Sequence, residues 1–221
     1  TQIINNGTER QYKTTKFFYK PEKERIMKTL KTISSLLLGI MLLSTSLMAQ
    51  SNGDYRSAVS GLWTEASTWE VYNGSAWVPA TTAPTGAGNI LVDDTVSVSS
   101  ASVNITGYVK IEGNGVLTVG ASGDLTFGAT STYEHARNIG TIPMATWAVG
   151  STAKFTGVSN SAPGNRIQSF SNIIWDNPAQ TANLNMGWNG VTITGTITIN
   201  STGTGRWYFA GPTTGSTAKF T

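Results

Sequence analysis

Short alternations of apolar and polar residues run through the middle of this 221-residue chain. Residues 90–92, 96–98, 103–105, 109–111, 117–119 and 125–127 each read as a strand, since alternation puts every second side chain on one face. Their starts lie six to eight residues apart. Turn formers fill the gaps: Asp93-Asp94, the serine run at 99–102, Gly107, Gly113-Asn114-Gly115 and the glycines of 120–123. A strand this short cannot bury a face alone. Stacked three to a coil, such strands form a continuous apolar column, which is the logic of a β-solenoid. The pattern therefore predicts an all-β chain of the parallel β-helix or β-solenoid kind. A β-sandwich, whose strands recur at about 8–12 residues, is the alternative.

Before this region, residues 68–72 alternate large and polar side chains, Asn73-Gly74 is a turn signal, and 76–78 reads as the return strand. This hairpin is expected to bring Trp69 and Trp77 together. With Trp63 they read as a Trp-rich cap over residues 50–88, packed as a small core; a carbohydrate-stacking face is the competing reading. After it, residues 89–221 read as the solenoid. Residues 129–149 interrupt the pattern as a loop or a rung with an insertion. Residues 171–175, 191–199 and 206–209 are strand-like, and 191–199 alternates strictly with a single Gly. The seven residues of 150–156, GSTAKFT, recur identically at 215–221, an offset of 65 that holds about three coils. The chain ends inside that second copy, with none of the polar capping a solenoid end requires, so the natural protein is expected to continue.

Composition divides the chain. Residues 1–49 carry eight Lys/Arg against three Glu, a net +5, so the +3 of the whole chain leaves −2 for residues 50–221. The basic pI of 9.2 belongs to the leader, and a nucleic-acid surface on the folded part is not expected. Within the leader, Met27 starts a stretch with Lys28 and Lys31, an apolar block over 36–43 and a small-residue end at Ser44–Ala49. That is the build of a secretory signal peptide over 27–49, with cleavage near Ala49. The block is too short for the roughly 20 apolar residues of a membrane span, so the membrane is met only during export. Residues 1–26 precede the signal and are expected to be non-native upstream read-through, disordered. No Cys is present, which excludes disulfides, thiolate nucleophiles and Cys-based metal sites.

Candidate chemistry is thin. His135 is the only His, and Glu134-His135 with Arg137 is best read as a polar loop. Asp93-Asp94 read as corner residues, since the spacing of a calcium loop is missing. No nucleophile elbow or phosphate-binding loop occurs. No catalytic residue, cofactor or metal ligand is therefore assigned. Trp188, Trp207 and Tyr208 are the candidates for glycan contact, with stacking inside the solenoid as the commoner use of such rings.

Three blocks carry a resemblance. Gly53-Asp54-Tyr55-Arg56-Ser57, Leu62-Trp63, the run from Ser67 through Gly74 and Trp77-Val78-Pro79 form the first. Tyr133-Glu134-His135-Ala136 with Gly140-Thr141-Ile142-Pro143 and Ala145-Thr146-Trp147 form the second, and Gly203-Thr204-Gly205 a weaker third. Together they resemble the N-terminal region of large secreted or cell-surface β-helical proteins of Bacteroidota. The resemblance implies a right-handed β-helix, export, and relatives that often end in a type IX secretion sorting domain; it transfers no catalytic residue. The expected function is a non-catalytic extracellular module, structural or adhesin-like, part of a longer secreted protein. Its partner would be an extracellular polysaccharide or a host or biofilm surface. The alternative is the carbohydrate-binding or scaffold part of a polysaccharide-active enzyme.

Overall fold

Residues 50–209 and the strand Lys219–Phe220 are described by the computed structural model. The expected signal peptide over 27–49, the expected read-through over 1–26 and most of the second GSTAKFT copy lie outside the described residues. The chain opens with β1 (Tyr55–Ser57), β2 (Gly61–Leu62), one 3-10 turn (Ala66–Thr68) and the strands β3 (Trp69–Tyr72) and β4 (Trp77–Pro79). Six four-residue strands follow: β5 (Asn89–Val92), β6 (Thr95–Val98), β7 (Ser102–Ile105), β8 (Tyr108–Ile111), β9 (Val116–Val119) and β10 (Asp124–Phe127). Each matches a predicted alternation to within a residue. Then come β11 (Thr132–His135), β12 (Thr146–Trp147), β13 (Thr152–Phe155), β14 (Asn172–Asp176), β15 (Leu184–Asn185), β16 (Thr192–Ile193), β17 (Ile197–Ser201), β18 (Trp207–Tyr208) and β19 (Lys219–Phe220).

These strands stack as a β-solenoid, not a sandwich. The first face is a parallel column of β1, β5, β8, β11, β13, β14 and β17, which makes six turns. Aligned residues Ile90, Val109, Tyr133, Ala153, Ile173 and Ile197 lie 19, 24, 20, 20 and 24 residues apart. The second face stacks β2, β6 and β9, then the Thr141–Gly164 bridge, then β15 on β18. The third stacks β7, β10 and β12, then the Phe170–Ile193 bridge, then β16 on β19. The segment 129–149 is thus a full rung, β11, with a long corner, rather than a break.

Alternation fills the interior. Val92, Val96, Ile105, Val109, Ile111 and Leu117 pack the early turns and are almost wholly buried. From β10 onward rings join aliphatics such as Ile142, Ile173 and Ile193 in the core. Phe127 stacks on Trp147 with centroids 4.4 Å apart and planes 12° from parallel, and Trp147, Phe170 and Trp188 continue the ladder at 5.0 and 5.8 Å. A second ladder runs from His135 through Phe155 to Trp175 at 6.1 and 5.3 Å, and Trp207 of the second face meets Trp175 across the interior at 5.8 Å. Where rings are register partners, as Phe127 with Trp147 and Phe155 with Trp175, the β-ladder itself holds them at stacking distance.

The hairpin β3–β4 closes the first end. β3 pairs antiparallel with the outer edge of β1, and β4 with β3, so the nine-stranded sheet ends at β4. Pro79 on that last strand lacks an N–H and blunts the edge. Inside the cap Trp63 and Trp69 are buried at 5.1 Å in an edge-to-face pair. Trp69 donates its indole N–H to the Trp63 carbonyl at 2.9 Å, and Trp63 donates to that of Pro84 at 3.0 Å. The expected Trp69–Trp77 contact is not formed. The register sets Tyr72 opposite Trp77 and sends Trp69 inward.

Two other expectations shift. The 191–199 run divides between β16 and β17 on different faces. The corner falls at Gly195, where a Cβ would strike the Asn172 side chain, whose Oδ1 accepts from the Thr196 backbone at 3.0 Å. The two GSTAKFT copies also occupy different faces. The first forms β13 on the first face, while Lys219–Phe220 of the second pairs with β16 on the third.

Candidate functional site

The outward side of the first face carries the main polar cluster. Residues at the third position of successive rungs align as Leu91, Lys110, Glu134, Lys154, Ile174 and Thr198. This register places Glu134 between two lysines. Its carboxylate receives the Tyr108 hydroxyl, the Thr156 hydroxyl at 2.6 Å and the Lys154 ammonium at 3.2 Å. Glu134 is buried beneath these partners. Lys110 is satisfied separately by Glu112 at 2.6 Å. A carboxylate with three donors is a well-solvated anion inside the protein, and the cluster joins three successive turns.

His135 lies on the opposite, inward side of the same strand. Its Nε2 is 2.7 Å from the Ile139 carbonyl and its Nδ1 is 3.0 Å from the Tyr133 hydroxyl. A carbonyl only accepts, so Nε2 carries the proton and Nδ1 accepts from Tyr133. Burial pushes the imidazole pKa down to about 4; the bond to Ile139 opposes this and the Arg137 charge adds to it. Burial likewise pushes the Tyr133 phenol up. The ring therefore stays neutral at pH 7 and works as a corner strut. The strut holds a strained loop: Ile139, β-branched and exposed, sits at φ 55°, with Gly140 at φ 85° beyond it. Asn138 fixes the same corner, its Oδ1 accepting from the backbones of Ser159 and Asn160 at 3.0 Å each. Glu134 and His135 are adjacent in sequence but on opposite sides of the strand, so they form no joint acid–base pair.

The predicted glycan residues separate. Trp188 is wholly buried, with its indole N–H donated to the Arg166 carbonyl at 2.7 Å; in this fold it is core and has no face for a sugar. Trp207 is half-buried against Trp175, Trp188 and Phe209, and its indole nitrogen is buried without an acceptor among the described residues. Tyr208, next to it, points outward and is exposed. Another half-exposed ring pair lies on the cap. Tyr72 and Trp77 are half-exposed cross-strand neighbours at 5.4 Å, with the Arg56 guanidinium 4.7 Å over the Trp77 ring and paired to Glu70 at 2.6 Å.

Several polar residues act between turns without having stood out in the sequence. Gln180, fully buried, accepts from the Trp175 indole at 2.8 Å and donates to the carbonyls of Ala182 and Arg206 at 2.9 Å each. Asp93 and Asp94 sit at a corner, their backbone N–H groups both donating to Ser57 Oγ at 3.0 Å, as their turn-forming character predicts. A groove of about 230 Å³ beside the cap is lined by Trp63, Pro84, Thr85, Ser102 and Asn104 among others. Among the described residues no three His, Cys, Asp or Glu side chains gather as metal ligands, and no helix is long and apolar enough to cross a membrane. Comparison with protein-family models, with curated proteins and with solved structures finds no match.

Proposed function

We propose that this chain is a non-catalytic module of an exported protein, secreted or held at the cell surface, serving as a structural or adhesin-like β-solenoid. The observation that carries the reading is how its reactive side chains are used. Glu134 bonds Thr156 and Lys154 of the next turn, Gln180 bonds the Arg206 carbonyl of the next turn, the aromatic ladders run from turn to turn, and His135 braces the corner of its own turn. That use stiffens a rod and leaves its outer faces for contact, as solenoids present extended binding surfaces. The charged n-region and short apolar block before Ala49, and the resemblance to Bacteroidota surface proteins, support export. The full chain, incubated with neutral and anionic polysaccharides, is expected to release no new reducing or unsaturated ends. Release that disappears in Glu134→Gln would overturn the non-catalytic reading.

One observation favours the carbohydrate-binding alternative. The half-exposed Tyr72–Trp77 pair, flanked by Arg56 and Glu70, offers a ring face and hydrogen-bonding groups on one strip of the cap. A glycan array decides between the two readings. Saturable binding lost in Trp77→Ala or Tyr208→Ala favours a carbohydrate module; no saturable binding favours the scaffold.

A further inference from the structure

Charge is distributed unevenly along the rod. Residues 50–136 hold two Lys/Arg against eight Asp/Glu, a net −6, whereas residues 137–209 hold four against one, a net +3. That one acid, Asp176, ends β14 on the first face. Among the described residues, the ion pairs of Arg56, Lys110 and Lys154 all start from first-face strands. Arg166 and Arg206, beside the second face in the late turns, meet no carboxylate among the described residues.

That face gathers donors around one ring. Leu184 and Trp207 are register partners that point inward, so alternation turns Asn183, Asn185, Arg206 and Tyr208 outward. All four are exposed. Asn183 stands beside Arg206 and Asn185 beside Tyr208 on strands about 4.8 Å apart. Both asparagine carbonyls are engaged, Asn183 Oδ1 by the Arg206 backbone N–H at 3.1 Å and Asn185 Oδ1 by that of Gly187 at 2.9 Å. Each amide therefore presents its NH2 group outward. Arg166 flanks them, its Nε donating to the Met186 carbonyl at 2.9 Å. A patch of donors without a carboxylate suits an oxyanion, and the Tyr208 ring adds an apolar face beside it.

We propose that the outward side of β15 and β18 binds the carboxylate-bearing sugars of an acidic polysaccharide. Arg206 takes the planar carboxylate through its forked N–H groups. The amides of Asn183 and Asn185 donate to oxygens of the same sugar or its neighbour, and Tyr208 stacks on a pyranose ring. The proposal rests on the adhesin-like reading in taking a glycan outside the cell as the partner.

The probe is polygalacturonate, with its fully methyl-esterified form and dextran sulfate as comparisons. Each is titrated against the full chain in about 0.15 M salt, where exposed charges more than about 8 Å apart are largely screened. Polygalacturonate is expected to bind saturably, and the ester about tenfold more weakly. Arg206→Gln is expected to weaken binding about tenfold and Tyr208→Ala several-fold. Lys110→Gln removes the same charge from the first face and is expected to leave binding unchanged. Arg206 and Tyr208 are exposed, so both variants are expected to keep the wild-type urea midpoint, which separates a lost contact from a lost fold. The proposal is overturned if polygalacturonate does not bind, if the ester or dextran sulfate binds as tightly, or if Arg206→Gln loses no more than Lys110→Gln. Neutral-glycan binding lost in Trp77→Ala would then leave the carbohydrate reading of the cap standing, and no glycan binding at all would leave the scaffold alone.

Discussion

The neutral imidazole of His135 ties stability to pH. The unfolded chain takes up its proton near pH 6.5, the folded one only near 4. Between those values the unfolded state binds more protons, so stability rises with pH. The contribution is complete above about pH 6.5 and is lost as pH falls toward 4, a difference of about 3 kcal/mol. Urea midpoints of wild type and His135→Gln at pH 7.5 and 4.5 isolate it from the carboxylates. The wild type is expected to lose about 2–3 kcal/mol more than the variant; equal losses would mean that His135 is not buried as described. On the other side of the strand, Glu134→Gln leaves the partly buried Lys154 without its counter-charge. A cost of about 2 kcal/mol is expected by chemical denaturation, with no change in far-UV signal. Gly86, at φ 94° and with the Asn104 carbonyl where a Cβ would lie, marks a corner that admits no side chain without strain.

At the scale of elements, the solenoid stands on rings that meet across turns. Phe170 is buried between Trp147 and Trp188. Phe170→Ala is expected to cost about 3–5 kcal/mol, and Trp188→Ala a similar amount, both read from equilibrium unfolding. A neutral Trp188→Ala would show that this ring is not core. Alternation and turn residues made β5 through β10 legible, because side-chain period and corner chemistry are both local. The hairpin was legible from Asn73-Gly74, but its register was not, since which face Trp69 takes depends on β1 alongside. The corner at Gly195 was hidden because an alternating run looks the same straight or bent; Asn172, more than twenty residues away, decides it. The Glu134 cluster was hidden for a related reason. Lys110, Glu134 and Lys154 are 24 and 20 residues apart, and only the rung register makes them neighbours. Once the coil length is known, that spacing is the signal that finds them. Trp188 and Trp207 stand out in the sequence as large rings, but aromatic type alone does not say whether a ring faces in or out.

At the scale of the molecule, each turn touches mainly its two neighbours, so stability accumulates rung by rung from the hairpin cap. If the chain is exported as proposed, protein recovered outside the cell is expected to begin at Gln50; material that keeps Met27 at its start would contradict cleavage near Ala49. The central claim is the parallel stack itself, because the scaffold reading depends on it. Spin-label distances along the outward side of the first face test it most directly. With labels paired from Arg56 to Lys110, Lys154 and Thr198, two, four and six rungs away, the backbone separations should grow linearly to roughly 10, 19 and 29 Å, about 4.8 Å per rung. Distances that level off or reverse along this series would instead describe strands folded back on one another, as in a sandwich, and would contradict the solenoid.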